Sequence, residues 1–336
     1  MSLGKNDALN VFGLTTNQSR ILFSVEKYLV GRDIENTKKD ADRKIEWLRL
    51  WEKSILEYLK TLDSNIDSLY GLFDIHEQIK KEKEDNLTWY YFVILEAVLF
   101  HAYSPIDENI KRYKGLKYKR QLEDLKELVK ADAVIDPSFV DVAKGSFDQS
   151  IKIITGKNKK FFALIPTLVL AIAVGALCSA FAGPIAVMLV GGNFAGLSGA
   201  ALTSASLALL GGGAIAAGGA GMAGGTAVIV GGGALLGFVT GGTASVTGLA
   251  LLSAPEYIAF ECAKIEVAIK EILIGSQNDK NGAISVLNRL RDSINVLEEQ
   301  IVELEKNKDK KSEIKKIRKS ITFMEKTVAN CEKYLG

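Results

Sequence analysis

The chain has 336 residues, 48% of them hydrophobic, which is enough apolar material for two ordinary domains and argues against overall disorder. Its 42 Lys and Arg against 40 Asp and Glu leave a formal charge of +2, too balanced to point to nucleic acid as a partner. Cys178, Cys262 and Cys331 are far apart and form no CxxC pair, so neither a disulfide framework nor a zinc module is indicated, and they read as small apolar residues.

The N-terminal stretch MSLGKNDALNVFGLTTNQSR lacks a basic n-region, an apolar h-region and a small-residue cleavage site, so no secretory signal peptide is expected. The first periodic segment runs from Asp42 to Ile79. There Ile45, Leu48, Ile55, Leu59, Leu62, Ile66, Leu69 and Phe73 follow three- and four-residue spacing, with Lys53, Glu57, Lys60 and Asp67 off the stripe, which predicts one long amphipathic helix. Asn86 to Tyr103 is intensely apolar and ends at Ser104-Pro105, which predicts a buried helix. Trp89, Tyr90, Tyr91 and Tyr103 leave an interfacial anchor as the alternative, against which the internal Glu96 argues.

Residues 107–131 carry Leu116, Leu122, Leu125 and Leu128 among Lys and Glu and predict a surface helix, ended by a break at Asp136-Pro137. A further helix is expected over Ser138 to Thr155, followed by a basic collar at Gly156-Lys157-Asn158-Lys159-Lys160. Beyond the central block, Glu256 to Ile274 reads as one more amphipathic helix, with Ile258, Ile265, Ile269, Ile272 and Leu273 beside Glu261, Lys264, Lys270 and Glu271. Leu287, Leu290, Ile294, Leu297, Ile301 and Leu304 are then spaced 3, 4, 3, 4, 3, and after the polar run Lys306 to Lys311 the pattern resumes at Ile314, Ile317, Ile321, Met324, Val328, Cys331 and Leu335. Two helices with a short connector predict an antiparallel coiled-coil hairpin. Nothing calls for a β-sheet.

The central block sets the chain apart. Of the 31 glycines, 21 lie between Phe161 and Pro255, and the 95 residues from 161 to 255 contain no Asp, Glu, Lys or Arg. That length is several times the roughly 20 residues that span a bilayer, so three or four helical passes would fit. Thr167 to Val190 is the strongest spanning candidate, through Leu168, Leu170, Ile172, Leu177, Phe181, Ile185 and Leu189, although Pro184 predicts a kink or turn. From Gly191 to Thr240 the composition is mostly Gly, Ala, Ser and Thr, and insertion is weaker. Glycine costs a helix in water about 1 kcal/mol relative to alanine, whereas the GxxxG pairs Gly192-Gly196, Gly221-Gly225, Gly233-Gly237 and Gly237-Gly241 would bring helices together in lipid. A glycine-packed core hairpin wrapped by the amphipathic helices is the alternative reading. Both hold if a hairpin is sheltered first and released onto a membrane later.

Catalytic chemistry finds no support. Gly219-Ala220-Gly221-Met222-Ala223-Gly224 fits GxGxxG but has no acidic residue about 20 positions on, and the glycine clusters at 211–213 and 231–233 lack a following GK[ST]. His76 and His101 are the only histidines, and neither belongs to a metal or nucleophile motif. No enzyme activity, cofactor or metal is expected.

The expected architecture is all-α, a long helical bundle or coiled coil with a central Gly/Ala-rich apolar region: residues 1–160 amphipathic helices, 161–255 the membrane-inserting region, 256–336 an amphipathic helix and coiled-coil hairpin. This layout resembles the α-helical pore-forming toxins of the cytolysin A and haemolysin BL/Nhe type, and more loosely the apolipoprotein L and colicin proteins, although 161–255 is far longer than a single cytolysin tongue. The resemblance implies a bundle that stores an apolar hairpin and inserts it into a bilayer as a homo-oligomer. The expected function is a pore-forming or membrane-disrupting effector, either a secreted toxin or, favoured slightly by the absent signal peptide, an intracellular agent of abortive anti-phage defence. The alternative is an integral membrane scaffold recruiting protein partners through its coiled coils. The expected location is the membrane, reached from a form made in water, in the cytoplasm or for secretion.

Overall fold

The computed structural model describes residues 14–37, 39–82, 87–103, 112–156, 255–306 and 310–336, with 196 and 205 as isolated positions. Every regular element among the described residues is a helix, and none of these helices is long and apolar enough to cross a membrane. The uncharged block falls almost wholly outside them.

Helix α1 (Thr16–Glu35) opens on a capping box: the Thr15 hydroxyl accepts from the Gln18 backbone N–H, and the Gln18 side chain accepts from the Thr15 N–H at 2.9 Å. Ile21, Phe23, Val25, Leu29 and Val30 are all buried because later helices pack on several sides of α1. A helix enclosed in this way shows no apolar stripe, and periodicity alone passes over it.

The single helix expected from Asp42 to Ile79 is two, α2 (Ala41–Leu62) and α3 (Leu72–Glu82). Asp63 ends α2 in an extended conformation, and its carboxylate accepts from both the backbone and the side chain of Asn65 at 2.9 Å, offering the chain an alternative to another helical turn. Of the expected inward face, Ile55, Leu59, Ile66 and Leu69 are buried, but its two ends differ. Trp47, Trp51, Ile55 and Leu59, four residues apart, have no exposure, while Ile45 is half exposed and Phe73 lies out in solvent. Trp47 and Trp51 stack at 5.9 Å, and the edge of Tyr103 meets Trp47 at 5.4 Å.

Helix α4 (Thr88–Leu99) is core rather than interface: Trp89, Tyr90, Val93, Ile94 and Leu95 are buried within the bundle. Its last carbonyls are capped by Gln121, whose amide donates to Ala97 O at 2.9 Å and Phe100 O at 2.6 Å. Gln121 starts α5 (Gln121–Asp132), so the expected 107–131 helix begins later than its pattern suggested, with Leu116 in the preceding turn. Helix α6 (Phe139–Thr155) follows.

The C-terminal part comprises α7 (Pro255–Val267), a π-helix (Ala268–Ser276), α8 (Lys280–Glu305) and α9 (Lys311–Leu335). Helices α8 and α9 are antiparallel, as the pairs Arg318–Glu305 at 2.7 Å and Arg291–Glu332 at 2.6 Å show. Leu287, Leu290, Leu297, Ile301, Ile317, Ile321 and Met324 are buried, with Ile294, Leu304 and Ile314 partly so. Helix α7 is not amphipathic. It packs between α6 and α9, and every residue from Ile258 to Val267, more than two full turns, is buried, with Ile258, Ala259, Cys262, Ala263, Ile265 and Val267 showing no exposure. Glu261, Lys264 and Glu266 are buried along with them, so from Ile258 to Val267 a helix expected to keep one wet face keeps none.

The π-helix closes through the Gln277 N–H on Ile272 O at 2.9 Å, five residues back. Its wide turn brings Lys270 O to 2.9 Å from where a Cβ on Gly275 would lie. Gly275→Ala is therefore expected to destabilise the chain by roughly 1–3 kcal/mol. Gly145→Ala, in α6 with nothing within 4 Å of the added methyl, is expected to stabilise by about 0.4–1 kcal/mol. Urea unfolding of the two variants beside the parent checks both signs.

Candidate functional site

Leu168, Leu170, Ile172, Leu177, Phe181, Ile185, Leu189, Gly192, Gly221, Gly225, Gly233, Gly237 and Gly241 lie outside the described residues, as does the Lys157–Lys160 collar. Gly196 is described, in an exposed turn at φ 91°. What the structure does define is how the flanks of this block are held. Helix α6 ends at Gly156, a left-handed cap whose N–H donates to Lys152 O, and α7 opens on Pro255, whose fixed φ suits a first helical turn. One turn of α9 meets both ends: the Lys326 ammonium donates to Ile154 O at 3.0 Å, and Thr327 lies against the Cys262 thiol. Further along, Ser150 bonds Glu266, while Ser146 bonds Glu271 and accepts from Lys270 at 3.1 Å. Helices α6 and α7 therefore run in opposite directions, with the exit and return of the 161–255 block at the same end of the pair.

A buried ionic cluster ties this pair to the N-terminal helices. The Lys264 ammonium sits 2.9 Å from Glu96 Oε1 on α4 and 3.5 Å from Glu261 Oε2 one turn back on α7. Glu26 of α1 joins the cluster from the side of Glu96, and its Oε2 has no hydrogen-bond partner. Glu26 thus meets the like charge of Glu96 without an ammonium of its own, and burial beside a like charge disfavours the ionised form. Burial, reinforced by the Glu96 charge, holds the Glu26 carboxyl well above the ordinary range. Burial likewise raises Glu261, partly offset by Lys264. For Lys264 burial works against the charge, but Glu261 and Glu96 together outweigh it and keep the ammonium. A smaller polar group fastens the opposite side of α7 to α9, where the buried Glu266 accepts from Asn330 at 3.4 Å and Tyr334 at 3.3 Å. Cys262 and Cys331 lie in the same α7–α9 seam, and burial pushes the Cys262 thiol up to about 12.

A cavity of about 410 Å³ opens between the end of α4, the start of α5 and α6. Phe100, Phe147 and Ile151 line it with apolar surface, and Lys119, Lys144 and His101 border it, Lys144 being paired with Asp148 at 2.5 Å. Burial, with a smaller contribution from Lys144, lowers the His101 pKa to about 4. The other histidine, His76, bonds the buried Asp132, which also accepts from Tyr90, and so staples α3 to α5 and α4. No cluster of His, Cys, Asp or Glu among the described residues could hold a metal ion. Comparison with protein-family models, with characterised proteins and with solved structures gave no match.

None of these buried polar groups was legible beforehand. Glu96 and Lys264 are 168 residues apart in sequence, and their meeting is decided by packing. The one available signal was that Glu96 and Glu261 each interrupt a run of apolar residues, as buried charges with partners do.

Lys264→Ala is expected to cost on the order of 3–5 kcal/mol, because it strands Glu96 and Glu261 without a counter-charge, whereas the triple change Lys264→Met, Glu96→Gln, Glu261→Gln restores most of the loss. Denaturant midpoints compare them. His101 sets an acid limit. A base whose folded pKa is depressed contributes stability that is present above its unfolded value of 6.5 and is lost as the pH falls towards about 4. His101→Gln is thus expected to flatten the loss of thermal stability across that interval, by as much as about 3 kcal/mol at its acid end.

Proposed function

We propose that this chain is a membrane-inserting, pore-forming or membrane-disrupting effector whose helical bundle holds both ends of the uncharged 161–255 block together and delivers the block to a bilayer. The observation that carries the reading is the shared seat of those ends, with the last turn of α6 and the second turn of α7 on one turn of α9. A path into hydrocarbon from two adjacent points must return to the side it left. This favours an even number of crossings, and four, at about 20 residues each, use up most of the 95 available. The absence of any charge over that length supports lipid as its solvent, and the GxxxG pairs supply contacts through which helices associate there.

A second reading, a membrane-anchored scaffold, draws support from α8. That helix packs on α9 and the π-helix, and Ile284 and Val302 on it are 44% and 62% exposed, which leaves apolar positions open to a protein partner.

Dye-loaded liposomes distinguish the two. Rapid, concentration-dependent release by the purified chain is the outcome expected for an effector, and binding without release is that of the scaffold. Gly225→Leu and Gly237→Leu are expected to reduce release several-fold by blocking close helix approach, while Lys306→Ala and Lys311→Ala in the α8–α9 connector leave it unchanged. Equal release by both classes of variant refutes the packing argument.

A further inference from the structure

Helix α9 holds seven Lys and Arg against three Glu, an excess of four positive charges in a chain whose total is +2. The charges are sorted by face. Arg318, Glu325 and Glu332 recur every seven residues on the row that meets α8, where Arg318 pairs with Glu305 and Glu332 with Arg291. One residue on, about 100° around the helix, Lys319, Lys326 and Lys333 form a second row, continued by Lys315 four residues before Lys319. All four are exposed, and only Thr322 and Ala329 stand between them on that face. Lys326 donates to Ile154 O, Lys333 donates to Asn330 Oδ1 at 3.2 Å, and Lys319 and Lys326 rest over the Phe323 ring at 5.8 Å and 6.0 Å. These contacts orient the ammonium groups without neutralising them.

The row also has a place in the bundle. Helix α6 stops two residues after the Ile154 carbonyl that Lys326 holds, whereas α9 continues past that level for about 22 Å to Lys311. Lys315 and Lys319 therefore project beyond the last turn of α6, at the end where the 161–255 block leaves and returns. The chain leading into that block, Gln149 to Lys160, adds four lysines and no acidic residue.

We propose that the face of α9 formed by Lys315, Lys319, Lys326 and Lys333 docks the bundle on an anionic bilayer surface and so brings both ends of the 161–255 block to the headgroups. The proposal rests on the reading that this block meets a membrane, and it adds the lipid class, one with net negative headgroups. From Lys315 to Lys333 the row spans about 27 Å of convex helix, too long for a small anion to touch more than one end, and matched by an extended sheet of negative charge. Each lysine held near such a surface favours binding by about fivefold.

The test is co-sedimentation of the full chain with vesicles of phosphatidylcholine alone or mixed two to one with phosphatidylglycerol. The mixed vesicles are expected to bind the chain at least about tenfold more tightly, a preference that high salt removes. Changing Lys315, Lys319 and Lys333 together to Gln is expected to weaken binding to the mixed vesicles by at least about thirtyfold with unchanged thermal unfolding. The double change Lys315→Gln, Lys333→Gln, which leaves the contacts of Phe323 in place, is expected to weaken it by about tenfold. Changing Lys60, Lys81 and Lys130 to Gln, three exposed lysines of the N-terminal helices and the same loss of net charge, is expected to leave binding intact. Dye release per bound chain separates this proposal from pore formation: lysine-dependent binding without release supports the docking face and overturns the pore, while equal release from both vesicle types, untouched by the triple change, overturns the docking face and leaves the pore standing. Equal losses from the two triple changes, or tighter binding of an oligothymidylate strand than of the mixed vesicles, also overturn it.

Discussion

From Ile258 to Val267 helix α7 has no face in water, and much of the molecule follows from meeting that condition. A helix buried on every side must satisfy each polar group it carries from its neighbours, since an unpaired charge away from solvent is among the costliest things a fold can contain. Lys264 and Glu261 accordingly draw Glu96 in from α4, with Glu26 of α1 completing the group, while Glu266 turns the other way to Asn330 and Tyr334 of α9. Helix α7 thereby joins the N-terminal helices to the C-terminal hairpin, beside the direct contact of α6 with α9, and it is the segment that follows the uncharged block. Replacing the cluster with apolar residues of similar size could hold the same helices at least as tightly. What the charges add is a register, because Lys264 meets Glu96 in only one alignment of α7 against α4.

The parts of this arrangement that a sequence reader recovers are those that touch water. Helices α6, α8 and α9 each have a dry and a wet side, so the three- and four-residue spacing of Leu287 through Leu304, or of Ile314 through Met324, marks the inward positions directly. Helices α1 and α7 lack that contrast. In α1 the capping box at Thr15 and Gln18 is the stronger signal, and in α7 the charges that suggested a wet face, Glu261 and Lys264, are buried with the apolar residues. The division of the 42–79 segment was hidden for another reason. Leu62, Ile66 and Leu69 keep helical spacing across a break made locally by the Asp63 carboxylate, and a periodicity count gives no weight to a side chain that bonds to the chain two residues on.

The candidate site divides along the same line. Its apolar half, the 161–255 block, is conspicuous in composition because hydrocarbon-like sequence needs no tertiary context to be recognised. The half that positions it arises from residues distant in the chain: Ile154 with Lys326, Cys262 with Thr327, Lys264 with Glu96. The cavity beside α6 is of the same kind, since Phe100, Lys119 and Phe147 share no motif and meet only because Gln121 closes the end of α4.

The two thiols in the α7–α9 seam make the bundle its own reporter. Cys262 and Cys331 are enclosed, and burial holds both in the protonated, unreactive form. A maleimide or iodoacetamide in solution reaches them only when α7 and α9 separate. The rate at which they alkylate therefore times the opening of this seam without any label being introduced, and it does so at the helix that carries the return of the apolar block.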